Sequence, residues 1–361
     1  MFGYHLATLI HISDLHFGDM DPSRNDGTYD ADAPRYWKHA KIFQGLLGHT
    51  VQAMKDLDRL VKHLVDEEGA YLITTGDLTC VGKATQFAMA GMFLGGEVHF
   101  PSGDAFGLRC RDWKGRCVGG NHDHWNEALP LLSSGTSAAY LRTFPAGTFP
   151  AMAPDVPLRL SDGRRLRVRF AMVDSDADVA TGRMSIRRNA ARGKFSSQLA
   201  SPEIHMGPRQ PDEIRTLLIH HSPTYHDGSS ALRMHGNCRQ ALDVYLIDQE
   251  ISVVMTGHIH EAEVRAFRAT DPARGRTREV LEARSGTATQ RDKIPAKWRV
   301  KDPHLARWQL PRNAVLVHRL VESEDESGGT VVEWRTTPYW RGNRGFVPLR
   351  GQLPPPRRVW P

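Results

Sequence analysis

One stretch places four polar residues in a row behind two glycines, namely Asn121, His122, Asp123 and His124. An amide oxygen can bind a metal ion while the neighbouring imidazole reaches a substrate oxygen, so this row suits a site that binds metal and handles phosphate. Gly-Gly-Asn is also ordinary turn chemistry, and a motif this short does not decide between the two readings. Similar residues elsewhere in the chain do decide between them.

Metal-ligand residue types follow five apolar runs of the chain. In order, these positions are Asp14 with His16, Asp77, Asn121 with His122, His220 with His221, and His258 with His260. Because ligands gather at the carboxyl ends of strands in open α/β sheets, we expect the five ends to converge on one site. Asp-x-His alone is a weak motif, whereas all the motifs in one order, each behind an apolar run, form a specific pattern.

The ligand types indicate a pair of divalent metal ions. A carboxylate that can bridge, several imidazoles and an amide oxygen suit Mn, Fe, Zn or Co, and mixed nitrogen and oxygen ligands do not choose among them. Two such ions, about 3.5–4 Å apart, lower the pKa of a bridging water and hold both ends of an in-line displacement at phosphorus. The pattern therefore predicts phosphoester hydrolysis.

The elements that must position these residues are strands and helices that follow one another along the chain. Apolar runs predict buried strands at 6–12, 71–75, 216–219 and 251–255. Apolar residues recur at helical spacing from Val51 to Val65, and Gly69 follows as a stop, so an amphipathic helix is predicted there. Further helices are predicted at 83–94 and 240–247, and further strands at 165–173, 279–283, 314–320 and 330–334.

Length and composition set the domain organisation. A chain of 361 residues with 40% hydrophobic content can bury the core of one large or two medium domains. We expect a single catalytic domain over residues 1–340, with inserted loops near 97–115 and 181–206. Residues 145–157 are predicted to be a proline-rich connector, and residues 341–361 a loosely packed tail rich in proline and arginine.

Charge and cysteine usage indicate the environment. Four cysteines without paired spacing argue against a disulfide framework and favour a reducing compartment. The sequence has neither a signal-peptide pattern nor an apolar stretch long enough for a membrane span, so we expect a cytoplasmic protein with no membrane partner. The net charge of +6 permits anionic partners, but it is too diffuse to favour nucleic acid.

The five motif blocks resemble those of the calcineurin-like metallophosphoesterase superfamily. The blocks are Asp14-Leu15-His16, Gly76-Asp77, Gly120-Asn121-His122-Asp123, His221, and Gly257-His258-Ile259-His260. The resemblance implies an α/β fold, specifically a four-layer α/β/β/α sandwich of two mixed sheets with a dinuclear metal site at one edge.

The resemblance also implies a role for each motif residue. The first ion would be held by Asp14, His16 and His260, the second by Asn121, His221 and His258, and Asp77 would bridge the two. His122 would contact the phosphate, as Asn121 would, and would protonate the leaving oxygen as the general acid. Asp123 would orient His122.

The fourth block leaves a choice between two adjacent histidines. Successive residues of a strand point to opposite faces, so only one of His220 and His221 is expected to be a ligand. We choose His221, because it stands directly before Ser222-Pro223, as the family's fourth-block histidine often does. His220 would then pack or support the site.

Differences from the motifs of particular subfamilies narrow the range of expected activities. Residues 76–80 lack the Asp-Arg-Gly of the Ser/Thr protein phosphatases and the tyrosine of the purple acid phosphatases. Residues 11–18 and 286–289 look most like small bacterial phosphodiesterases that act on cyclic nucleotides or glycerophosphodiesters. We therefore expect a phosphodiesterase of small molecules that uses a metal-bridging hydroxide and His122. The alternatives are a DNA or RNA nuclease of the same fold and a catalytically silent binding scaffold.

Overall fold

The computed structural model describes residues 3–18, 49–100, 103–125, 136–178, 192–225, 232–290, 313–349 and 353–361. The strands in these ranges are β1 (Tyr4–Ile12), β2 (Tyr71–Thr75), β3 (Val98–His99), β4 (Ala105–Phe106), β5 (Cys117–Val118), β6 (Ala151–Arg159), β7 (Arg165–Met172), β8 (Glu213–Leu218), β9 (Val253–Thr256), β10 (Glu263–Asp271), β11 (Arg276–Arg284), β12 (Ala314–Glu324), β13 (Thr330–Gly342), β14 (Gly345–Pro348) and β15 (Arg357–Trp360). The helices are α1 (Val51–Glu68), α2 (Ala84–Gly95), α3 (Asn121–His124), α4 (Ala138–Thr143), α5 (Ser196–Leu199) and α6 (Gly236–Asp248).

Most of these strands belong to two sheets. The first sheet has the order β14-β13-β12-β1-β2-β5, with β15 also paired to β13, and the second has the order β10-β11-β9-β8-β7-β6. In the first sheet β1, β2 and β5 run parallel, and in the second β7, β8, β9 and β11 do. The other neighbours pair antiparallel, so both sheets are mixed, as expected.

Three apolar clusters separate four layers of secondary structure. Helices α1 and α2 pack on the outer face of the first sheet through a cluster that includes Leu57 and Val317. The two sheets face each other across a second cluster that includes Leu9 and Phe170. Helix α6 covers the outer face of the second sheet through a third cluster that includes Leu242. The four-layer α/β/β/α sandwich is therefore confirmed.

Strand β1 shows why a continuous apolar run suits this position. Ile10 and Ile12 face the helices, whereas Ala7 and Leu9 face the second sheet. Successive side chains of a strand point to opposite faces, so a strand buried on both sides is mostly apolar, and the buried polar residues of β1, Thr8 and His11, each have a hydrogen-bond partner. The run ends where the chain reaches the edge of the sheet.

Helix α1 begins and ends where the sequence predicts. The Thr50 side chain accepts a hydrogen bond from the backbone N–H of Ala53, which caps the first turn. Gly69 ends the helix in the left-handed conformation, with φ of 60°. No helix in the described ranges is long and apolar enough to cross a membrane.

Two segments differ from the sequence-based expectations. The predicted connector at 145–157 is wrong in its second part, because Ala151–Arg159 forms β6. Proline is tolerated there because β6 lies at the edge of the second sheet and its pairing with β7 shifts register between Ala153 and Val156. The expected loose tail is also wrong where it is described, since β14 and β15 pair with β13 and Trp360 is buried.

The predicted inserted loops are only partly visible. The first, near 97–115, contains a small hairpin of β3 and β4. Residues 181–191 of the second, near 181–206, lie outside the described residues, and Ser196–Leu199 of the remainder forms α5. The fold thus brings the carboxyl ends of β1, β2, β5, β8 and β9 to one edge, and each end is followed by one of the motif blocks.

Candidate metal centre

The motif residues leave their strands through strained turns. Seven non-glycine residues of the described ranges have a positive φ, and five of them are predicted ligands: Asp14, His16, Asp77, His258 and His260. Such conformations cost about 1–3 kcal/mol each and cluster at functional sites. Backbone hydrogen bonds tie two of the turns together, because the N–H groups of Asp14 and His16 donate to the carbonyls of Gly76 and Asp77.

The first group of side chains contains Asp14, His16, Asp77 and His260. One potential ligand atom from each lies within 4.8 Å of the others. His260 Nε2 is 3.0 Å from His16 Nε2 and 3.2 Å from Asp14 Oδ1. His16 Nε2 is 3.8 Å from Asp77 Oδ2. Two imidazoles and two carboxylates therefore converge on one point, as the sequence predicted for the first ion.

The second group shares Asp77 with the first. It adds His220 and His258, again with ligand atoms within 4.8 Å of one another. His220 Nε2 lies 3.2 Å from Asp77 Oδ2 and 3.2 Å from Asn121 Oδ1, so the amide oxygen of Asn121 joins this group. Asp77 thus stands between the two groups, where a bridging carboxylate must stand.

The polar atoms of both groups fit metal ions. Asp14 Oδ1, Asp77 Oδ2 and His258 Nε2 are buried and have no hydrogen-bond partner among the described residues. A buried polar atom without a partner costs about 1–3 kcal/mol, so native proteins rarely keep several of them together. Oxygen and imidazole nitrogen are the donors that Mn, Fe, Zn and Co accept, so a pair of divalent ions satisfies these atoms.

The charges of the site support this fit. Burial alone would raise the pKa of Asp14, but His260 and His16 hold its pKa well below the usual range. Asp77 behaves likewise, because His220 and His122 offset burial and lower its pKa. Both carboxylates are therefore ionised, which is the state that binds a cation.

Two glycines of the motifs are required by close packing of the turns. A Cβ atom on Gly120 would lie 2.3 Å from Asp77 Oδ1, and one on Gly257 would lie 1.8 Å from Ser13 Oγ. Any side chain at either position would displace a carboxylate or the turn before it. The Gly-Asn-His-Asp and Gly-His-x-His spacings therefore follow from the geometry of the site.

The choice of His221 over His220 needs correction. His220 lies in the second group, whereas His221 does not: its Nδ1 is 2.7 Å from Ser175 Oγ, and its ring packs on that of His258 with centroids 4.2 Å apart. The two adjacent rings stand at 87° to each other, so they face different surroundings. His220 Nδ1 donates to the carbonyl of Thr75 at 2.6 Å, which leaves Nε2 to face Asp77 and Asn121.

His122 lies beside the shared carboxylate but outside both groups. Its Nδ1–H donates to the carbonyl of Cys80 at 2.9 Å, and its backbone N–H donates to Asp77 Oδ1 at 2.9 Å. Its ring packs on Trp125, with centroids 3.7 Å apart, and meets His16 edge-on. Nε2 is 3.9 Å from Asp77 Oδ2. Burial lowers the pKa of His122 to about 3, although Asp77 opposes this shift.

Asp123 does not touch the ring of His122, contrary to the expected orienting contact. Its carboxylate accepts hydrogen bonds from the backbone N–H groups of Leu78, Thr79 and Gly120, and from the Thr79 hydroxyl. Burial raises its pKa to about 6, with a contribution from Asp77. Asp123 thus joins the turn at Gly120 to the segment of Leu78 and Thr79. The next residue of that segment, Cys80, accepts the hydrogen bond from His122, so Asp123 affects His122 indirectly.

A polar cluster that is not part of the predicted ligand set lies next to the second group. His124 Nε2 is 3.0 Å from Asp174 Oδ1, and Tyr140 Oη donates to Asp174 Oδ2 at 2.7 Å. Asp176 Oδ2 lies 3.8 Å from His221 Nδ1, and burial raises the pKa of Asp176 to about 8. Asp174 ends an apolar run as the ligands do, which was the available signal, but it contacts His124 rather than the ligand groups.

A comparison of the whole chain with protein families supports the interpretation of the motifs and of the shared carboxylate. The calcineurin-like phosphoesterase family matches residues 7–262, which include every motif block. The chain belongs to the calcineurin-like phosphoesterase family. It is therefore a metal-dependent phosphoesterase, with the mixed two-sheet fold and the Asp/His cluster described above.

Comparisons with individual proteins do not narrow the activity of the chain within this family. No curated protein sequence matches the chain. Among solved structures, that of PhoD is similar, with 11% identity and a TM-score of 0.42, over 97% of this chain and 73% of that chain. The crystal structure of Chaetomium thermophilum Vps29 is similar at 11% identity and a TM-score of 0.26, over 94% of this chain and 100% of that chain.

Proposed function

We propose that this phosphoesterase is a two-metal phosphodiesterase of small molecules, with His122 as its general acid. The observation that carries the proposal is the position of Asp77. Asp77 Oδ2 lies 3.8 Å from His16 Nε2 in the first group and 3.2 Å from His220 Nε2 in the second. A shared carboxylate between two groups of imidazoles is the arrangement that holds two ions close enough to act on one phosphoryl group.

The two groups differ in the residues that would hold each ion. Asp14, His16, Asp77 and His260 would hold the first, and Asp77, Asn121, His220 and His258 the second. When bound, the ions would lower the pKa of a water molecule and neutralise charge on the phosphoryl oxygens. The metal can be Mn, Fe, Zn or Co.

The role of His122 follows from how its ring is held. Its Nδ1–H is engaged by the Cys80 carbonyl, so Nε2 is the only ring atom that can exchange a proton with a substrate. Trp125 on one face and His16 at the edge keep the ring from turning away. Burial keeps His122 neutral near pH 7, and the negative charge of a bound phosphoester favours its protonation. His122 Nε2 can then donate that proton to the leaving oxygen.

The preference for diesters rests on the softer resemblance of residues 11–18 and 286–289 to small bacterial phosphodiesterases. The structure places these two segments side by side, because Ala288 N–H donates to the Ser13 carbonyl and the Thr287 hydroxyl to the Asp14 carbonyl. The two segments that resemble small bacterial phosphodiesterases therefore belong to the same part of the site. A small phosphodiester in a reducing, cytoplasmic environment is the substrate that we propose.

The test compares hydrolysis of bis-p-nitrophenyl phosphate and p-nitrophenyl phosphate by protein loaded with Mn²⁺, and then with Fe²⁺, Zn²⁺ or Co²⁺. We expect faster cleavage of the diester, and loss of that cleavage in Asn121→Ala and His122→Ala. His63→Gln, on an exposed position of α1, serves as the matched control and should retain activity. Faster cleavage of the monoester would overturn the diesterase proposal, and full activity of both site variants would overturn the assignment of the site.

A further inference from the structure

A row of polar side chains crosses the apolar core between the two sheets. Thr336 on β13 lies 2.9 Å from His318 Nδ1 on β12, and His318 Nε2 lies 3.5 Å from His11 Nδ1 on β1. His11 Nε2 lies 2.9 Å from the hydroxyl of Thr75 on β2. Four neighbouring strands thus each contribute one residue. We call these four residues the polar row.

The polar row is buried among apolar side chains. His11, His318 and Thr75 are completely buried, and Thr336 is 4% exposed, in a layer otherwise filled by residues such as Leu9. Burial lowers the pKa of His11 to about 3 and that of His318 well below its usual range, so both rings are neutral. Each neutral imidazole has one donor and one acceptor, so the row is satisfied only when all its hydrogen bonds point in one direction. An apolar row would fill the same space without this constraint.

The polar row ends at a residue that touches the metal centre. Thr75 is the last residue of β2, directly before the turn of Gly76 and Asp77. Its hydroxyl meets His11, and its carbonyl accepts hydrogen bonds from His220 Nδ1 at 2.6 Å and Ser13 Oγ at 3.0 Å. A histidine that donates one ring N–H to a carbonyl has its other nitrogen fixed for metal binding. Thr75 therefore connects the core to a predicted ligand.

We propose that the polar row positions His220 for the second metal ion, with Thr75 as the link, and so sets the affinity of the protein for that ion. The four residues act as positioning residues, since none of them lies in either ligand group. Among the described residues, His220 is the one proposed histidine ligand that donates to the Thr75 carbonyl. The inference rests on the two-metal site of the proposed function, but it does not depend on the substrate.

The experiment titrates chelator-treated protein with Mn²⁺ and resolves two binding steps by calorimetry. Thr75→Val removes the hydroxyl while keeping the shape of the side chain and the carbonyl. We expect about a tenfold loss of affinity in the weaker, second step, as is typical when a partner of a ligating histidine is disturbed, and a much smaller change in the first step. Thr75→Ser keeps a hydroxyl and should restore the second step.

The neighbouring threonine provides a matched control. Thr74 is also completely buried in β2, and its hydroxyl has no hydrogen-bond partner among the described residues. Thr74→Val should leave both binding steps unchanged. His11→Phe, which breaks the polar row one residue farther away, should weaken the second step and not the first. Thermal unfolding of each chelated variant shows whether it is folded before titration.

Three results separate the possible failures. Equal affinities in wild-type protein and Thr75→Val, with two ions bound in both, would overturn this inference and leave the proposed function intact. Equal losses in both binding steps would also overturn it, because the row would then only stabilise the fold. Failure of the wild-type protein to bind two ions would overturn the proposed two-metal function itself.

Discussion

The two ligand groups are held in place by different means. In the first group, Asp14, His16 and His260 all sit in left-handed turns, with φ of 52°, 47° and 62°. In the second group, His258 and Asp77 also have a positive φ, of 72° and 51°. Asn121, however, begins helix α3 and His220 follows strand β8, and neither of these two has a positive φ. All four residues of the first group are therefore in strained turns, whereas the second group also depends on a hydrogen bond that reaches His220 from strand β2.

This difference predicts which substitutions should weaken the binding of each metal ion. The turns of the first group are tied to each other by backbone hydrogen bonds, such as that from the Asp14 N–H to the Gly76 carbonyl, so side-chain substitutions elsewhere in the core should affect the first ion little. His220 donates to the Thr75 carbonyl, and the hydroxyl of the same Thr75 contacts His11 of the polar row. Substitutions far from the site should therefore affect the second ion selectively. Asp77 belongs to both groups and is the exception.

The largest effect is expected at the shared carboxylate. Asp77→Asn keeps an oxygen that can accept from the backbone N–H of His122 but removes the charge shared by both groups. Losing several kcal/mol of charge stabilisation corresponds to about a thousandfold or greater loss of phosphodiesterase rate. Elemental analysis should also show fewer than two ions per chain. Asp162→Asn, in an exposed turn, is the control, and a normal metal content in Asp77→Asn would contradict its shared role.

His122 should matter for chemistry and not for metal binding. His122→Ala removes the proposed acid while leaving both ligand groups complete, so diester hydrolysis should fall by about 10²–10⁴-fold in kcat. The metal content should stay at the wild-type value. A better leaving group needs less protonation, so the loss should shrink for esters of more acidic phenols. A variant that loses metal as well as activity would show that His122 supports the ligands instead.

The two adjacent histidines give the sharpest contrast within the second group. His220→Ala removes a proposed ligand, and the second binding step for Mn²⁺ should weaken by about a hundredfold or more. His221→Ala removes a ring that faces Ser175 and lies outside the ligand set, so both steps should stay within about threefold of wild type. The reverse pattern would restore the assignment made from the sequence.

The smallest predicted effect concerns acid stability. His11 and His318 have folded-state pKa values below the unfolded value of about 6.5, so the unfolded chain binds protons first as pH falls. The free energy of unfolding should therefore fall below about pH 6.5, by about 1.4 kcal/mol per pH unit for each buried histidine. For His11 this loss continues to about pH 3. In His318→Phe the slope should be smaller by one such contribution.

Urea unfolding of chelated protein between about pH 7 and pH 5 measures this slope. His63→Gln changes an exposed histidine of α1 and should leave the slope at its wild-type value. An unchanged slope in His318→Phe would show that the buried pair does not control acid stability.

The sequence predicts the centre of this molecule better than its edges. Strands β1, β2, β8 and β9 are buried on both faces toward their carboxyl ends, so those ends are rich in apolar residues and easy to recognise. Strands β6 and β10 lie at the two edges of the second sheet, where proline and exposed arginine are tolerated, and neither was predicted. The final strands were mistaken for a tail for the same reason, since β14 and β15 lie at the outer side of β13.

The residue types of the proposed ligands could also be predicted from the sequence, but the directions in which the side chains point could not. The motifs identify six of the seven side chains in the two groups, because those residues stand alone behind their strands. The fourth block offers two adjacent histidines, and only the path of the chain after β8 decides which one faces Asp77. Likewise, the contacts of Asp123 with Leu78, Thr79 and Gly120 depend on how two distant turns meet, which local spacing does not encode.

The central claim is that one carboxylate joins two metal sites at this edge of the sheets. The most direct test is a crystal of the protein soaked in Mn²⁺ and measured at the manganese absorption edge. We predict two anomalous peaks about 3.5–4 Å apart on either side of Asp77, the second of them beside His220. A single peak, or a second peak beside His221 and away from Asp77, would contradict this account.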